Sequence, residues 1–442
     1  MKASPPDFWQ RCGQSLERLD PIQVFGRVAQ VIGLVIEGEG PPCAVGDMCQ
    51  LKISHPVPRE VLAEVVGFRD QKILLMPLGD PRGLNPGCQI IPLGTPAVAR
   101  VGKALLGRVL DGLGNPMDGK GPVAAEKEYS LYATPPNPVT RRRISQPLDV
   151  GIRAINALIT LGRGQRITLF SGSGVGKSTL LGMMARHTAA QISVVALIGE
   201  RNREVREFLE KDLGPEGLER SVVVVATSDQ PPLIRMRGAY LAVAIAEYFR
   251  DLGHEVLFLM DSVTRFAMAA REVGLSIGEP PTSKGYTPSV FAQLPKLLER
   301  AGTTAGEGSI TAIYTVLVEG DDINEPIADS IRAIADGHIV LSRELANQGH
   351  YPPIDVLGSV SRVMRDVVGK EQMELRGKLI SLLATYRRME DLIHIGAYVP
   401  GTNPEIDLAM KKLPEIQTFL QQGISERSNF AESLNRLKAL FP

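Results

Sequence analysis

Residues 165–181 read QRITLFSGSGVGKSTLL. An apolar run with β-branched residues comes first, then glycine at alternate positions, then Lys177-Ser178 and apolar residues at helical spacing, so the stretch predicts strand, loop and helix in succession. A phosphate-binding loop needs that context. Gly172, Gly174 and Gly176 let the backbone fold so that successive N–H groups converge on phosphate oxygens, and a helix beginning near Lys177 adds a favourable dipole. Lys177 is placed to reach the β and γ phosphates of ATP, and the hydroxyl of Ser178 to ligand Mg2+. The expected nucleotide-binding segment is therefore Ser171, Gly172, Ser173, Gly174, Val175, Gly176, Lys177, Ser178 and Thr179. The usual pattern, G-x-x-x-x-G-K-[ST], has glycine where this chain has Ser171. That position joins strand to loop, so a small residue other than glycine can serve there.

Around the loop the hydrophobic pattern is that of an α/β protein. QRITLF, ISVVALIG, SVVVVAT, VLFLMD and SITAIYTVLVE are near-continuously apolar, as strands buried on both faces must be. Helical segments such as STLLGMMARHTAA and GAYLAVAIAEYFRDLG separate them, which implies a parallel sheet with right-handed crossovers. VLFLMD ends in Asp261, a carboxylate at the C-terminal edge of a central strand, where it faces the loop and can hold Mg2+ through water. ISVVALIG runs into Glu200-Arg201 at the same edge. A carboxylate there can take a proton from an attacking water in line with the γ-phosphate, and Arg201 can meet the phosphate or hold Glu200. The stretch GERNREVRE is dense in both signs, so a surface salt-bridge cluster accounts for the same residues equally well.

The flanking regions have other periods. From Val24 to about Leu93, Cys49, Leu51 and Ile53 alternate with polar residues, as do Val61, Ala63 and Val65, and turns rich in Gly and Pro punctuate the runs. Short strands so closely spaced predict a small β-barrel. Ahead of it, Phe8, Cys12, Leu16 and Leu19 share one face of an amphipathic helix from Asp7 to Asp20, which either packs on its own barrel or docks a partner. A turn-rich stretch from Leu105 leads to a proline linker, TPPNPVTRRR. Beyond Gly369 the strands stop and helices follow, one with an apolar stripe at Leu413, Ile416 and Leu420. The expected division is 1–21 for the helix, 22–97 for the barrel, 98–368 for the nucleotide-binding domain and 369–442 for a helical domain.

Composition narrows the classes. The chain has 442 residues, 44% hydrophobic and 22% charged, with 49 Lys plus Arg balancing 49 Asp plus Glu. There is no excess charge with which to hold nucleic acid or an anionic membrane generically. The four cysteines form no metal-binding spacing and read as reduced thiols. No apolar stretch is long enough to span a bilayer, and MKASPPDFWQRCGQ lacks the apolar run of a signal peptide.

The combination of LGRVLDGLGNPMDGKGP, the loop region, ALIGERNREVREF, FLMDSVTRFAMAAREVG and HYPPIDVLGSVSRVM resembles the catalytic subunits of rotary ATP synthases and their secretion relatives. It covers nearly the whole chain from Val24 onward. SGSGVGKS, VIGLVIEGEGP and HIVLSRELANQGHYPPIDVL look most like the flagellum-specific branch of type III export ATPases, in which a small residue other than glycine at the first loop position is typical. Injectisome ATPases are close cousins that usually carry an alanine-rich loop. The resemblance implies a RecA-like P-loop core between a barrel and a helical domain, and an ATPase that drives delivery of flagellar proteins into an export gate. It makes Glu200, in the GER motif, the catalytic carboxylate. It also makes Arg362 a finger reaching a neighbouring subunit's γ-phosphate and Tyr351 a stacking partner for adenine. Residues 274–286 would line the opening of a ring.

The implied partners are five further copies in a homo-hexamer, a stator-like regulator dimer on the N-terminal helix, a central stalk protein, gate membrane proteins, and export substrates with their chaperones. The implied location is the cytoplasm, peripheral to the inner membrane beneath the flagellar base. Three rival readings fit less well. A rotary synthase subunit carries an acidic DELSEED stretch, where this chain has MKKLPEIQTFLQQ. An RNA translocase needs stacking aromatics in the barrel, which here has Phe25 and Phe68 but neither Trp nor Tyr, so no nucleic acid is expected. A non-catalytic ring subunit lacks the glutamate that Glu200 supplies.

Overall fold

The computed structural model describes Gly13 and residues 24–54, 57–318 and 325–441. The amphipathic helix expected from Asp7 to Asp20, with its docking role, lies outside the described residues except for Gly13. The chain divides after Ala97 into two compact units.

In the first unit β1 (Gly26–Ile32), β2 (Val35–Glu39), β3 (Asp47–Ile53), β4 (Arg59–Arg69), β5 (Lys72–Pro77) and β6 (Gln89–Pro96) close into a barrel in the order β1-β2-β5-β4-β3-β6. The period of two explains the closure. Cys49, Leu51 and Ile53 on β3 and Val61, Ala63 and Val65 on β4 are all buried, while Lys52 and Leu62 between them face outward. Each such apolar side chain removed from water contributes about 1.5–3 kcal/mol.

The second unit is built on a sheet with eight strands in line. They are β7 (Arg108–Asp111), β8 (Arg166–Ser171), β9 (Ile192–Ile198), β10 (Ser221–Ala226), β11 (Glu255–Asp261), β12 (Ser309–Leu317), β13 (Gly337–Leu341) and β14 (Ile354–Ser361). Their order is β14-β13-β8-β12-β11-β9-β10-β7, with the short strand Gly302–Thr303 paired to β12 off that line. From β13 to β7 every neighbour is parallel, and β14 alone in the line runs antiparallel. Every residue of β9 and β10 is buried, which is why those strands read as unbroken apolar runs. Three strands escape a reading by period. β7 has four residues between Gly107 and Gly112, in a stretch that looks only turn-rich. β13 and β14 alternate between buried and half-exposed positions, and β14 carries Gly358 and two serines.

The helices used below are α1 (Arg153–Leu158), α2 (Lys177–His187), α3 (Asn202–Glu207), α4 (Pro232–Asp251), α5 (Val263–Ser276), α6 (Lys370–His394), α7 (Pro404–Leu420) and α8 (Phe430–Ala439). Pro232 starts α4 six residues ahead of the apolar run at Gly238, because proline at the first helical position loses no bond. In α7, Ile416 and Leu420 are buried and Leu413 is half-buried. The C-terminal helices have no core of their own. Leu375, Leu379, Ile416, Phe419 and Leu437 join the same apolar cluster as Leu169 of β8 and Leu180 of α2.

Candidate functional site

Parallel strands finish on one edge of a sheet, so register decides which side chains meet there. Leu197 of β9 is level with Asp261 of β11, and Ser171 of β8 with Leu317 of β12. One turn after β9, Gly199 has φ +72°. A β-carbon on it would lie 2.7 Å from Cβ of Arg265, so only glycine lets the chain turn there and bring Glu200 over the edge.

The loop between β8 and α2 contains the left-handed backbone that its glycines allow. Gly174 has φ +76° and Gly176 +91°. Ser171 does not, because positive φ among the described non-glycine residues occurs only at Asp70, Gln71 and Lys284. Its place at the end of an extended strand therefore makes no demand for glycine. The space is small instead: Ser171 is fully buried and its Oγ has no hydrogen-bond partner. Val175 anchors the loop in the core at 1% exposure. Arg343 Nη1 donates to the Ser173 carbonyl at 3.2 Å. α2 begins at Lys177, with Leu180 N–H donating to the Gly176 carbonyl at 3.1 Å. Ser178 and Thr179 are half-buried in its first turn.

Beneath the loop Lys177 Nζ donates to Asp261 Oδ1 at 2.5 Å and lies 3.4 Å from Glu200 Oε1. Thr315 Oγ1 donates to the same Asp261 oxygen at 2.8 Å. Burial alone would depress the Lys177 ammonium, but Asp261 and Glu200 outweigh it and raise the group above its ordinary value. Glu200 is pushed up to about 8, first by burial and then by the Asp261 charge, against the pull of Lys177. Glu204, bonded to Glu200, is held below the usual carboxylate range by that hydrogen bond. A carboxyl poised near neutrality beside a buried ammonium and a strand-end carboxylate can accept a proton from water, and such perturbed groups concentrate at reaction sites.

Other expected residues lie apart from this cluster. Arg201 is exposed and faces Glu204, with Nη1 3.5 Å from its Oε1. Thr179 bonds to Asp212, whose carboxyl burial raises. Arg362 follows β14 and is exposed, and its N–H donates to the Asp336 carbonyl at 2.9 Å. Tyr351 is half-exposed, with its ring 3.7 Å from where a β-carbon on Gly176 would stand. A hard dication prefers oxygen donors and, when it is Mg2+, takes only one or two from protein. The Ser178 hydroxyl and the Asp261 carboxylate are oxygen donors at the same edge, and no group of three or more His, Cys, Asp or Glu that could hold a metal occurs among the described residues. The donor set fits Mg2+ held partly by water and phosphate.

Thr315 and Arg343 were not marked by the motifs. Thr315 stands one residue beyond the Met260–Tyr314 pair, and a hydroxyl near the end of an apolar strand beside VLFLMD was the signal for it. Arg343 carries none, being brought to the loop by the turn after β13.

Comparison with known proteins places these elements in a family. Residues 28–94 match the ATP synthase alpha/beta family β-barrel domain, residues 151–361 its nucleotide-binding domain, and residues 368–439 the C-terminal domain of the type III secretion ATPase EscN. The flagellum-specific ATP synthase of Bacillus subtilis is 52% identical, over 96% of this chain and 97% of that one. The type 3 secretion system ATPase of Xanthomonas euvesicatoria is 48% identical over 94% of each. The structure of the assembled ATPase EscN in complex with its central stalk EscO, from enteropathogenic E. coli, matches with a TM-score of 0.86 at 47% identity, over 94% of this chain and 99% of that one.

Proposed function

We infer function from a family membership that is plain: the chain belongs to the ATP synthase alpha/beta family, in the branch that holds flagellum-specific and type III secretion ATPases, and is an ATP hydrolase. It couples hydrolysis to export of flagellar proteins through a type III gate. The observation that carries this reading is the Lys177 ammonium held between Asp261 and Glu200 at the carboxyl edge of the sheet.

In this reading the N–H groups of residues 172–178 and the Lys177 ammonium bind the phosphates of ATP. Ser178 and, through water, Asp261 would hold Mg2+, which would supply positive charge against the β and γ phosphates. Glu200 orients a water in line with the γ-phosphorus and takes its proton as the new P–O bond forms and the bond to the β–γ bridging oxygen breaks. Tyr351 stacks on adenine. Arg201 supports the phosphate or Glu200, and Arg362 reaches the γ-phosphate of the next subunit. That last role needs a ring, as the assembled state of the EscN relative suggests, and the partners follow: a stalk in the opening lined by residues 274–286, a regulator dimer on residues 1–21, a membrane gate, and cargo with chaperones. No helix among the described residues is long and apolar enough to cross a membrane, which suits a cytoplasmic protein peripheral to the inner membrane. An injectisome role is the second reading, supported by the 48% relative.

Glu200→Gln should bind ATP as the parent does and turn over at least about a hundredfold more slowly, the range of a lost general base. In a Bacillus subtilis strain lacking its own relative, the parent chain should restore flagellin secretion and Glu200→Gln should not. Turnover by the variant at the parent's rate would remove Glu200 from the reaction.

A further inference from the structure

Next to the Tyr351 ring is an open cleft of about 450 Å3 lined by Arg153, Gly349, Tyr351, Thr418, Gln421 and Gly423 among others. That volume is within the range of small-molecule sites. One wall is the loop that carries Tyr351, and the other is the C-terminal end of α7, which belongs to the helical region.

Two buried polar side chains fix the end of α7 and the residues after it, and one main-chain bond ties that segment to the Tyr351 loop. Arg153, 2% exposed at the start of α1, donates from Nη1 to the carbonyls of Phe419 at 3.0 Å and Gln421 at 2.9 Å. A guanidinium there caps the last carbonyls of α7 and complements the helix dipole. Its Nη2 pairs with Glu426. Gln422, 5% exposed, accepts from the Arg153 N–H at 2.8 Å and donates from Nε2 to the carbonyls of Gly151 and Glu426, both at 2.8 Å. Its own main-chain N–H donates to the carbonyl of Tyr351 at 2.9 Å. The amide therefore uses both of its N–H donors and one of its two acceptor positions, and the residue that holds Tyr351 is itself held on three sides.

We propose that Arg153 and Gln422 form a clasp that positions Tyr351 for the base of the nucleotide and ties its stacking to the end of α7. The clasp rests on the reading of Tyr351 as the stacking residue. A connected path follows from the contacts: the α7 terminus, Gln422 and then Tyr351. A shift of α7, such as one imposed by a protein bound to the helical region, moves the Tyr351 carbonyl first and the base with it, whereas Lys177 and Asp261 sit on the sheet edge and stay put. The clasp governs base affinity and leaves the phosphate chemistry alone. Neither residue touches ATP, so both are positioning residues.

The test uses the full chain, with ATP as substrate and inorganic tripolyphosphate, which has no base, as a competitive probe, both with Mg2+. Gln422→Met keeps the volume of the side chain and removes its bonds. It should raise the KM for ATP about tenfold, within the worth of a base–aromatic stack, with kcat and the tripolyphosphate inhibition constant each changed less than about twofold. Arg153→Lys, which keeps the charge but cannot span the two carbonyls, should reproduce the effect in part. A KM that does not move, or one that rises in step with weaker tripolyphosphate inhibition and lower kcat, overturns the clasp, the second result marking a merely structural role. Tyr351→Ala separates the premise from the inference. If it raises the KM for ATP and Gln422→Met does not, the clasp is wrong and stacking stands; if it leaves the KM unmoved, stacking fails and the clasp with it.

Discussion

Two sets of charged residues in the second unit are arranged in opposite ways. Asp261 is buried at 3% side-chain exposure, Lys177 and Glu200 are largely covered at 11% and 13%, and the Lys177 ammonium lies 2.5 Å from Asp261 and 3.4 Å from Glu200. Arg201 and Arg362 are exposed, the first held by one long contact to Glu204 and the second by its main chain. Buried charges must be paired within the fold or they destabilise it, whereas an exposed arginine does little for its own chain. Under the proposed reading the inner set is complete in one subunit, while the outer set acts on another molecule, which in a ring would be the neighbouring subunit.

The contrast breaks most sharply at Lys177. Lys177→Ala should abolish ATP binding in equilibrium titration. It should also lower stability by about 3–5 kcal/mol near neutral pH, because the buried Asp261 carboxylate loses its counter-charge. A variant that binds ATP normally would mean that the inner set is only structural. Arg362→Ala probes the outer set and should do the reverse: stability unchanged within about 0.5 kcal/mol, and turnover lowered on the order of a thousandfold. Mixing it with Lys177→Ala protein should restore part of the activity at concentrations that support assembly, since some interfaces then join a sound loop to a sound arginine. No recovery there would confine Arg362 to its own chain.

How much of this was legible in the sequence follows from how local each feature is. The loop is one continuous segment, so its strand, glycines and helix start were all readable, as was the α/β core between a barrel and helices. Asp261 was readable because parallel strands deliver their ends to one edge; Glu200 stood at that edge too, but GERNREVRE read equally well as a surface salt-bridge cluster and only the family resemblance chose its catalytic role. The strands β7, β13 and β14 were not, since strands at or next to the ends of the sheet are short or half-exposed and lack a continuous apolar run. Thr315 depends on register between β11 and β12, and Arg343 on a turn. Gln422 is seventy-one residues from the Tyr351 carbonyl it holds, and nothing in QQGISERS announces that bond. Arg362 and Tyr351 entered through the family resemblance alone.

The smallest effect expected concerns protonation inside the buried set. Glu200 is held up to about 8 by burial and by Asp261, and only its ionised form can accept a proton from water. Therefore kcat/KM, which reports the free enzyme, should climb as pH rises from 6 and level off above about 8, with less than a hundredfold change across that window. Stability runs the other way. A carboxyl whose folded value is raised keeps its full contribution below the unfolded value and loses it as pH rises through the folded one. Glu200→Gln should therefore match the parent in denaturant midpoint near pH 4.5 and exceed it above pH 8, while its residual turnover loses the climb. If parent activity is flat over pH 6–8 while the stability difference still appears, Glu200 is buried as described but another group moves the proton.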